Sequence, residues 1–145
     1  MTDPRPGSPP QDGPHPRPED VDTAFWLWTV ALAMMVIGYV LDLVVLPVEG
    51  PAAVVYGVSG VFLAVVASVV LTFLLLMRHG YRWTRTLLTG AGVATIVYSA
   101  SNLFGVDRPS VPAVGYAATA IVGSVCIAGG IYLLHRKDAH AFFTR

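Results

Sequence analysis

One carboxylate, Asp42, lies within an otherwise apolar run, near its end, and is the first candidate for chemistry. It stands four residues before the end of that run at Leu46, about 6 Å along a helix that rises 1.5 Å per residue. A carboxylate in a membrane is costly unless it reaches water, pairs with a cation or accepts hydrogen bonds. Asp42 therefore needs partners, and we find no basic residue in the outer part of any apolar run.

Uncharged polar residues do occur at the predicted depth of Asp42. The candidate polar pocket consists of Asp42, Ser99, Asn102, Tyr116 and Thr119. Two hypotheses remain open. In one, an outward-facing pocket binds a cation, a proton or a lipid headgroup through the carboxylate. In the other, Asp42 reaches the nearby surface or accepts hydrogen bonds from Ser99 and Asn102, which fixes the helices. In both, we expect Asp42 to point towards Ser99 and Asn102.

The remaining reactive residues do not form a catalytic or metal-binding pattern. His79, His135 and His140 fall near the predicted inner ends of the runs, without a further ligand at helical spacing or a neighbouring carboxylate. Cys126 is the single cysteine, so neither an intramolecular disulfide nor a CxxC motif can form. The sequence contains no HExxH, GxSxG or Walker-type motif. We therefore expect a non-enzymatic protein with no catalytic residue, bound metal or cofactor, and no nucleic-acid partner.

Four apolar runs must position these residues. They extend over about residues 24–46, 53–77, 83–104 and 113–134. Each has roughly the ~20 residues that a helix needs to cross the hydrocarbon core of a bilayer. With 54% hydrophobic and 12% charged residues, the chain is too apolar for an ordinary soluble domain. The pattern predicts an all-α integral membrane protein, an antiparallel four-helix bundle with short loops.

The basic residues predict the orientation of this bundle. Eight of the nine flank the runs on one side, and Arg108 is the exception. Basic loops are retained in the cytoplasm, so we expect a multi-pass plasma-membrane protein with both termini cytoplasmic. Residues 1–22 are rich in Pro, Gly and Asp and predict a disordered cytoplasmic tail. Residues 23–135 form the membrane domain, and residues 136–145 form a basic and aromatic cytoplasmic tail.

Small residues recur at helical spacing in every run and predict where helices pack. In membranes such residues let backbones approach closely. The predicted packing positions are Gly38, Gly60, Ala64, Gly92, Gly115, Gly123 and Gly130. We expect these positions to face other helices of the same chain, although one such stripe could equally serve a homodimer.

The layout of the chain resembles that of uncharacterised small four-span membrane proteins of actinobacteria. The resemblance rests on the Pro-rich acidic segment leading into residues 22–28 (DTAFWLW), the preference for arginine over lysine, and the ending RKDAHAFF at residues 136–143. It implies a plasma-membrane location and carries no activity. We expect a role as an accessory or scaffold subunit of a membrane assembly, in contact with lipid and with a membrane-protein partner or a second copy. The alternative is a small transporter or lipid-binding module that uses the pocket around Asp42.

Overall fold

The computed structural model describes residues 19–136, which form four helices. These are α1 (Glu19–Val45), α2 (Ala52–Arg78), α3 (Arg82–Gly105) and α4 (Ser110–Leu134). Each is long and apolar enough to cross a membrane. The predicted fold class, an all-α membrane bundle of four helices, is confirmed.

The first helix begins earlier than the sequence pattern indicates. The composition places residues 19–22 in the N-terminal tail, but in the structure they form the first turn of α1. Three acidic residues lie in this turn, namely Glu19, Asp20 and Asp22, and negative charge there is favoured by the helix dipole. The predictions for the Pro-rich tail up to residue 18 and for the basic tail from residue 137 lie outside the described residues.

The connections between helices are short, and each has a local cause. Gly80 follows α2 with a positive φ of 87°, a conformation that glycine adopts without a Cβ clash. The amides of Gly80 and Tyr81 donate to the carbonyls of Met77 and Leu76, which closes α2 with a Schellman turn. The loops 46–51 and 106–109 both lie at the opposite end of the bundle. We call that end the two-loop end and the other the terminal end.

The helices are arranged as a ring in which each contacts its neighbours in the chain and α4 returns to α1. The α1–α4 contact is the most extensive, and α4 also packs closely on α3. Glycines permit this approach. A Cβ added to Gly38 would lie 2.9 Å from Thr119 Oγ1, and one added to Gly92 would lie 2.7 Å from the Trp28 ring. Similar close approaches occur at Gly123, against Met35, and at Gly130, against Trp28.

Helix α2 packs differently from the other three. Its fully buried residues, Leu74 and Met77, both lie near the terminal end. Gly60 and Ala64 are exposed, and a Cβ added to Gly60 would have no neighbour within 4 Å. The prediction that these two residues pack against other helices of the same chain is therefore wrong. Small residues at helical spacing indicate that a face can pack closely but not which way that face points. A Cβ added to Gly115 would lie 3.5 Å from the Leu41 side chain, which is an ordinary van der Waals contact.

Candidate functional site

Asp42 is bound by an arginine from the α3–α4 loop. Arg108 Nε donates to one carboxylate oxygen of Asp42 at 2.7 Å, and Nη2 donates to the other at 2.7 Å. This two-point geometry is the strongest arrangement of an arginine with a carboxylate. The Arg108 side chain is only 3% exposed and that of Asp42 is 17% exposed, so water screens the pair little.

The rest of the Arg108 guanidinium contacts two other helices. Its Nη1 donates to the carbonyl of Asn102 at 2.8 Å, near the C-terminus of α3, where carbonyls lack helical partners. The guanidinium carbon lies 3.8 Å from the centre of the Tyr116 ring, a cation–π contact. The hydrogen bond to Asp42 is the main cause that raises the pKa of Arg108 above its ordinary value. Arg108 therefore joins α1, α3 and α4 at the two-loop end.

The structure corrects the partners expected for Asp42. Ser99 Oγ donates to Met35 Sδ at 3.5 Å, and Asn102 Nδ2 donates to the Tyr116 hydroxyl at 3.3 Å. Thr119 Oγ1 donates to the carbonyl of Tyr116 at 2.9 Å. The expected hydrogen bonds from Ser99 and Asn102 to Asp42 are replaced by the two bonds from Arg108, because a charged donor with two parallel N–H groups outcompetes a neutral hydroxyl or amide.

These residues nevertheless line one space. A cavity of about 580 Å³ opens between the four helices towards the two-loop end, and we call it the polar cavity. All five predicted pocket residues line it, namely Asp42, Ser99, Asn102, Tyr116 and Thr119. The rest of its wall is mostly aliphatic, including Leu63 and Val66 of α2. It is therefore an apolar space with polar groups concentrated at one end.

A second cavity, of about 390 Å³, continues towards the terminal end. We call it the apolar cavity. Its wall includes Trp28, Phe73 and Leu87, and the two cavities share a boundary formed by Leu32, Met35, Val66 and Thr95. Together the two cavities form what we call the cleft. Both volumes fall within the ~300–1,000 Å³ typical of small-molecule sites.

The cleft exists because α2 turns bulky residues inward. Its inward side carries Phe62, Val66 and Phe73, whereas Gly60, Ala64 and Ser68 face outward. The glycines of α1, α3 and α4 draw those three helices together, and α2 makes fewer close contacts with them. Phe62 remains 59% exposed although it lines the polar cavity, so no other side chain fills the space against it.

Arg108 is the functional residue that sequence reasoning missed. It is the one basic residue that does not flank the apolar runs on the predicted inner side, and it lies in a loop predicted at the same end of the bundle as Asp42. The available signal was a single arginine predicted at the same end of the bundle as a carboxylate within an apolar run. The pairing itself depends on the short α3–α4 loop passing beside α1, which follows from the α1–α4 contact.

No family model, curated protein or solved structure matches the chain.

Proposed function

We propose that this integral membrane protein is a non-enzymatic lipid-binding module that holds the hydrocarbon chain of a membrane amphiphile in the cleft. The observation that carries the proposal is the course of the cleft, which runs from polar groups beside Asp42 to an apolar end beside Trp28. An amphiphile has the same order of chemistry along its length. Its head would lie at the two-loop end and its chain would lie between α2 and the other helices.

The dimensions of the cleft support a long chain. Asp42 and Trp28 are separated by 14 residues of α1, so the lining extends over roughly 21 Å at 1.5 Å per residue. That length exceeds one leaflet of a hydrocarbon core about 30 Å thick. The helix with the fewest tight contacts, α2, is also the helix through whose side a chain would enter laterally from the bilayer.

Binding is favoured over transport because of the chemistry of the apolar cavity. A transporter needs polar groups on a route to both membrane faces. Among the described residues that line the apolar cavity, only Trp28 and Thr95 carry a polar side-chain group. The Thr95 hydroxyl already donates to the carbonyl of Ala91 at 2.8 Å. A polar solute would therefore find few groups to replace its water.

The proposal includes the orientation inferred from charge, with both termini cytoplasmic in the plasma membrane and the polar cavity opening outward. A cysteine replacing Asp107 should react with an impermeant reagent added to intact cells, and one replacing Arg82 should react only after lysis. Cys126 is first replaced by Ala in both variants. The reverse pattern would invert the orientation.

Quenching of Trp28 fluorescence tests the binding itself. The full chain carrying Trp26→Phe and Trp83→Phe retains Trp28, which is 5% exposed and lines the apolar cavity. In nanodiscs, an alkyl maltoside brominated near the end of a hexadecyl chain should quench Trp28 in a saturable manner. The bromine must enter the cleft to approach this ring closely, because the ring is otherwise enclosed by α1, α3 and α4.

Two α2 variants provide a matched comparison. Val66→Phe places a larger side chain where the two cavities meet, and saturable quenching should fall at least about fivefold, about 1 kcal/mol in affinity. Val65→Phe makes the same change on the neighbouring exposed position, which lines neither cavity, and should leave quenching unchanged. Linear quenching without saturation, or equal effects of both variants, would remove the proposal.

A second function, that of an accessory or scaffold subunit, is favoured by the outward face of α2. This face carries Gly60, Ala64 and Ser68, all exposed within a single chain. Such residues allow close contact with another membrane helix. Cysteines placed at Gly60 or Ala64 in native membranes should form a specific cross-link to a partner or to a second copy, whereas one at Leu63, facing the cleft, should not.

A further inference from the structure

The head that the cleft accepts can be inferred from the charges and rings at the two-loop end. The two loops carry Glu49, Asp107 and Arg108, and the end of α1 adds Asp42. Arg108 is consumed by its pairing with Asp42 and its contact with Tyr116. The remaining charges at this end of the described chain are therefore both negative, and one of them, Glu49, lines the polar cavity.

Aromatic rings line the same space. Tyr39 and Tyr98 both contribute to the wall of the polar cavity, and the Tyr98 side chain is left 65% exposed by the other helices. A ring face attracts an ammonium group through its quadrupole, with about 0.5–1 kcal/mol at exposed sites. No basic residue lines either cavity among residues 19–136. An anionic head would meet the carboxylate of Glu49 there, with Arg108 already paired with Asp42.

Resting on the proposed function, we propose that the cleft selects amphiphiles whose head is an ammonium group. Glu49 supplies the opposite charge, and Tyr98 supplies a ring face against which the ammonium packs. Asp42 contributes little net charge because Arg108 neutralises it. Two sources share this chemistry, namely a zwitterionic membrane lipid with an ethanolamine head and a free alkylammonium compound.

The selection is tested by comparing the affinities of amphiphiles that share one hydrocarbon chain and differ in their heads. The variant that keeps Trp28 as its single tryptophan is titrated in neutral nanodiscs. Three brominated compounds are used separately, namely hexadecyltrimethylammonium, hexadecyl sulfate and hexadecyl maltoside. Each titration is corrected by the same titration of the Val66→Phe variant, which removes the head-dependent partition into the bilayer. We expect the ammonium compound to bind about tenfold more tightly than the sulfate, with the maltoside between them.

Variants at the two-loop end test which residues bind the ammonium group. Glu49→Gln should weaken ammonium binding about threefold, as expected for an exposed charge pair, and leave maltoside binding unchanged. Asp107→Asn makes the same charge change at the same end but outside the cavity wall, and should have less than half of that effect. Tyr98→Leu should weaken ammonium binding about threefold, whereas Tyr98→Phe, which keeps the ring, should not.

The outcomes separate this inference from the proposed function. Saturable quenching by all three heads with equal affinity, or tighter binding of the sulfate, overturns the ammonium selection and leaves chain binding intact. Absence of saturable quenching by any head overturns both. A brominated phosphatidylethanolamine that binds more tightly than hexadecyltrimethylammonium supports the selection and identifies a membrane lipid. The reverse order supports it and identifies a free cationic amphiphile.

Discussion

The contact of α4 with α1 and the position of α2 show how similar compositions give opposite packing. Both α2 and α4 carry glycines at helical spacing. In α4, Gly123 and Gly130 are buried against side chains of α1, whereas in α2 Gly60 is exposed with no neighbour. The difference lies in the rotation of each helix about its axis. Small residues turned inward give a tight contact, and small residues turned outward leave a cleft behind them.

The two ends of the bundle differ in how far their ion pairs are exposed. At the two-loop end the Asp42–Arg108 pair is almost enclosed and joins the tightly packed helices. At the terminal end Asp22 pairs with Arg78 Nε at 3.1 Å, with side chains 43% and 35% exposed, and this pair joins α1 to α2. The enclosed pair thus joins the three helices that pack most closely, and the exposed pair joins α1 to α2.

The largest stability effect is expected from removing the charge of Asp42. Asp42→Asn leaves the Arg108 guanidinium enclosed without a counter-charge, at a cost of about 3–4 kcal/mol of unfolding free energy. The double variant Asp42→Asn with Arg108→Gln should recover most of that loss, because no buried charge is left unpaired. Reversible unfolding in mixed detergent measures both. A double variant no more stable than Asp42→Asn would show that the unpaired charge of Arg108 does not cause the loss of stability.

The next effect compares glycines on the two sides directly. Gly123→Leu forces a branched side chain against Met35 in the α1–α4 contact and should cost roughly 3 kcal/mol, at the upper end of overpacking effects. Gly60→Leu places the same side chain on an open surface and should change stability by less than about 0.5 kcal/mol. Equal losses would mean that the outward face of α2 is covered, which would favour a partner helix on that face.

The sequence could predict the four helices but not the setting of α2. Helix number and length follow from apolar runs near the ~20-residue requirement, because every backbone group in lipid must be satisfied within its own helix. The rotation of α2 depends on which of two packable faces wins, and both Gly60 with Ala64 and Val66 with Phe73 are spaced to form one. The spacing of residues along one helix does not determine which of its faces points towards the other helices.

The candidate site was predictable to a similar extent. Depth along the helices brought Asp42, Asn102 and Tyr116 to one level, and the structure places all three on the wall of one cavity. Hydrogen-bond partners were not predictable from depth, because they depend on the loop conformation that carries Arg108 into contact with Asp42. Glu49 lies in the loop 46–51, and its place on the wall of the polar cavity likewise depends on the course of that loop between α1 and α2.

The smallest effect is expected at the exposed pair between α1 and α2. A double-mutant cycle with Asp22→Asn and Arg78→Gln should give a coupling energy of about 0.5 kcal/mol, since water screens both side chains. Arg78→Gln alone should cost somewhat more than Asp22→Asn alone, because the Arg78 guanidinium also lies 5.0 Å from the centre of the Phe25 ring. A coupling as large as that of Asp42 with Arg108 would indicate that water screens the terminal pair as little as it screens the enclosed pair. It would also mean that α2 is held at the terminal end by charge as well as by Leu74 and Met77.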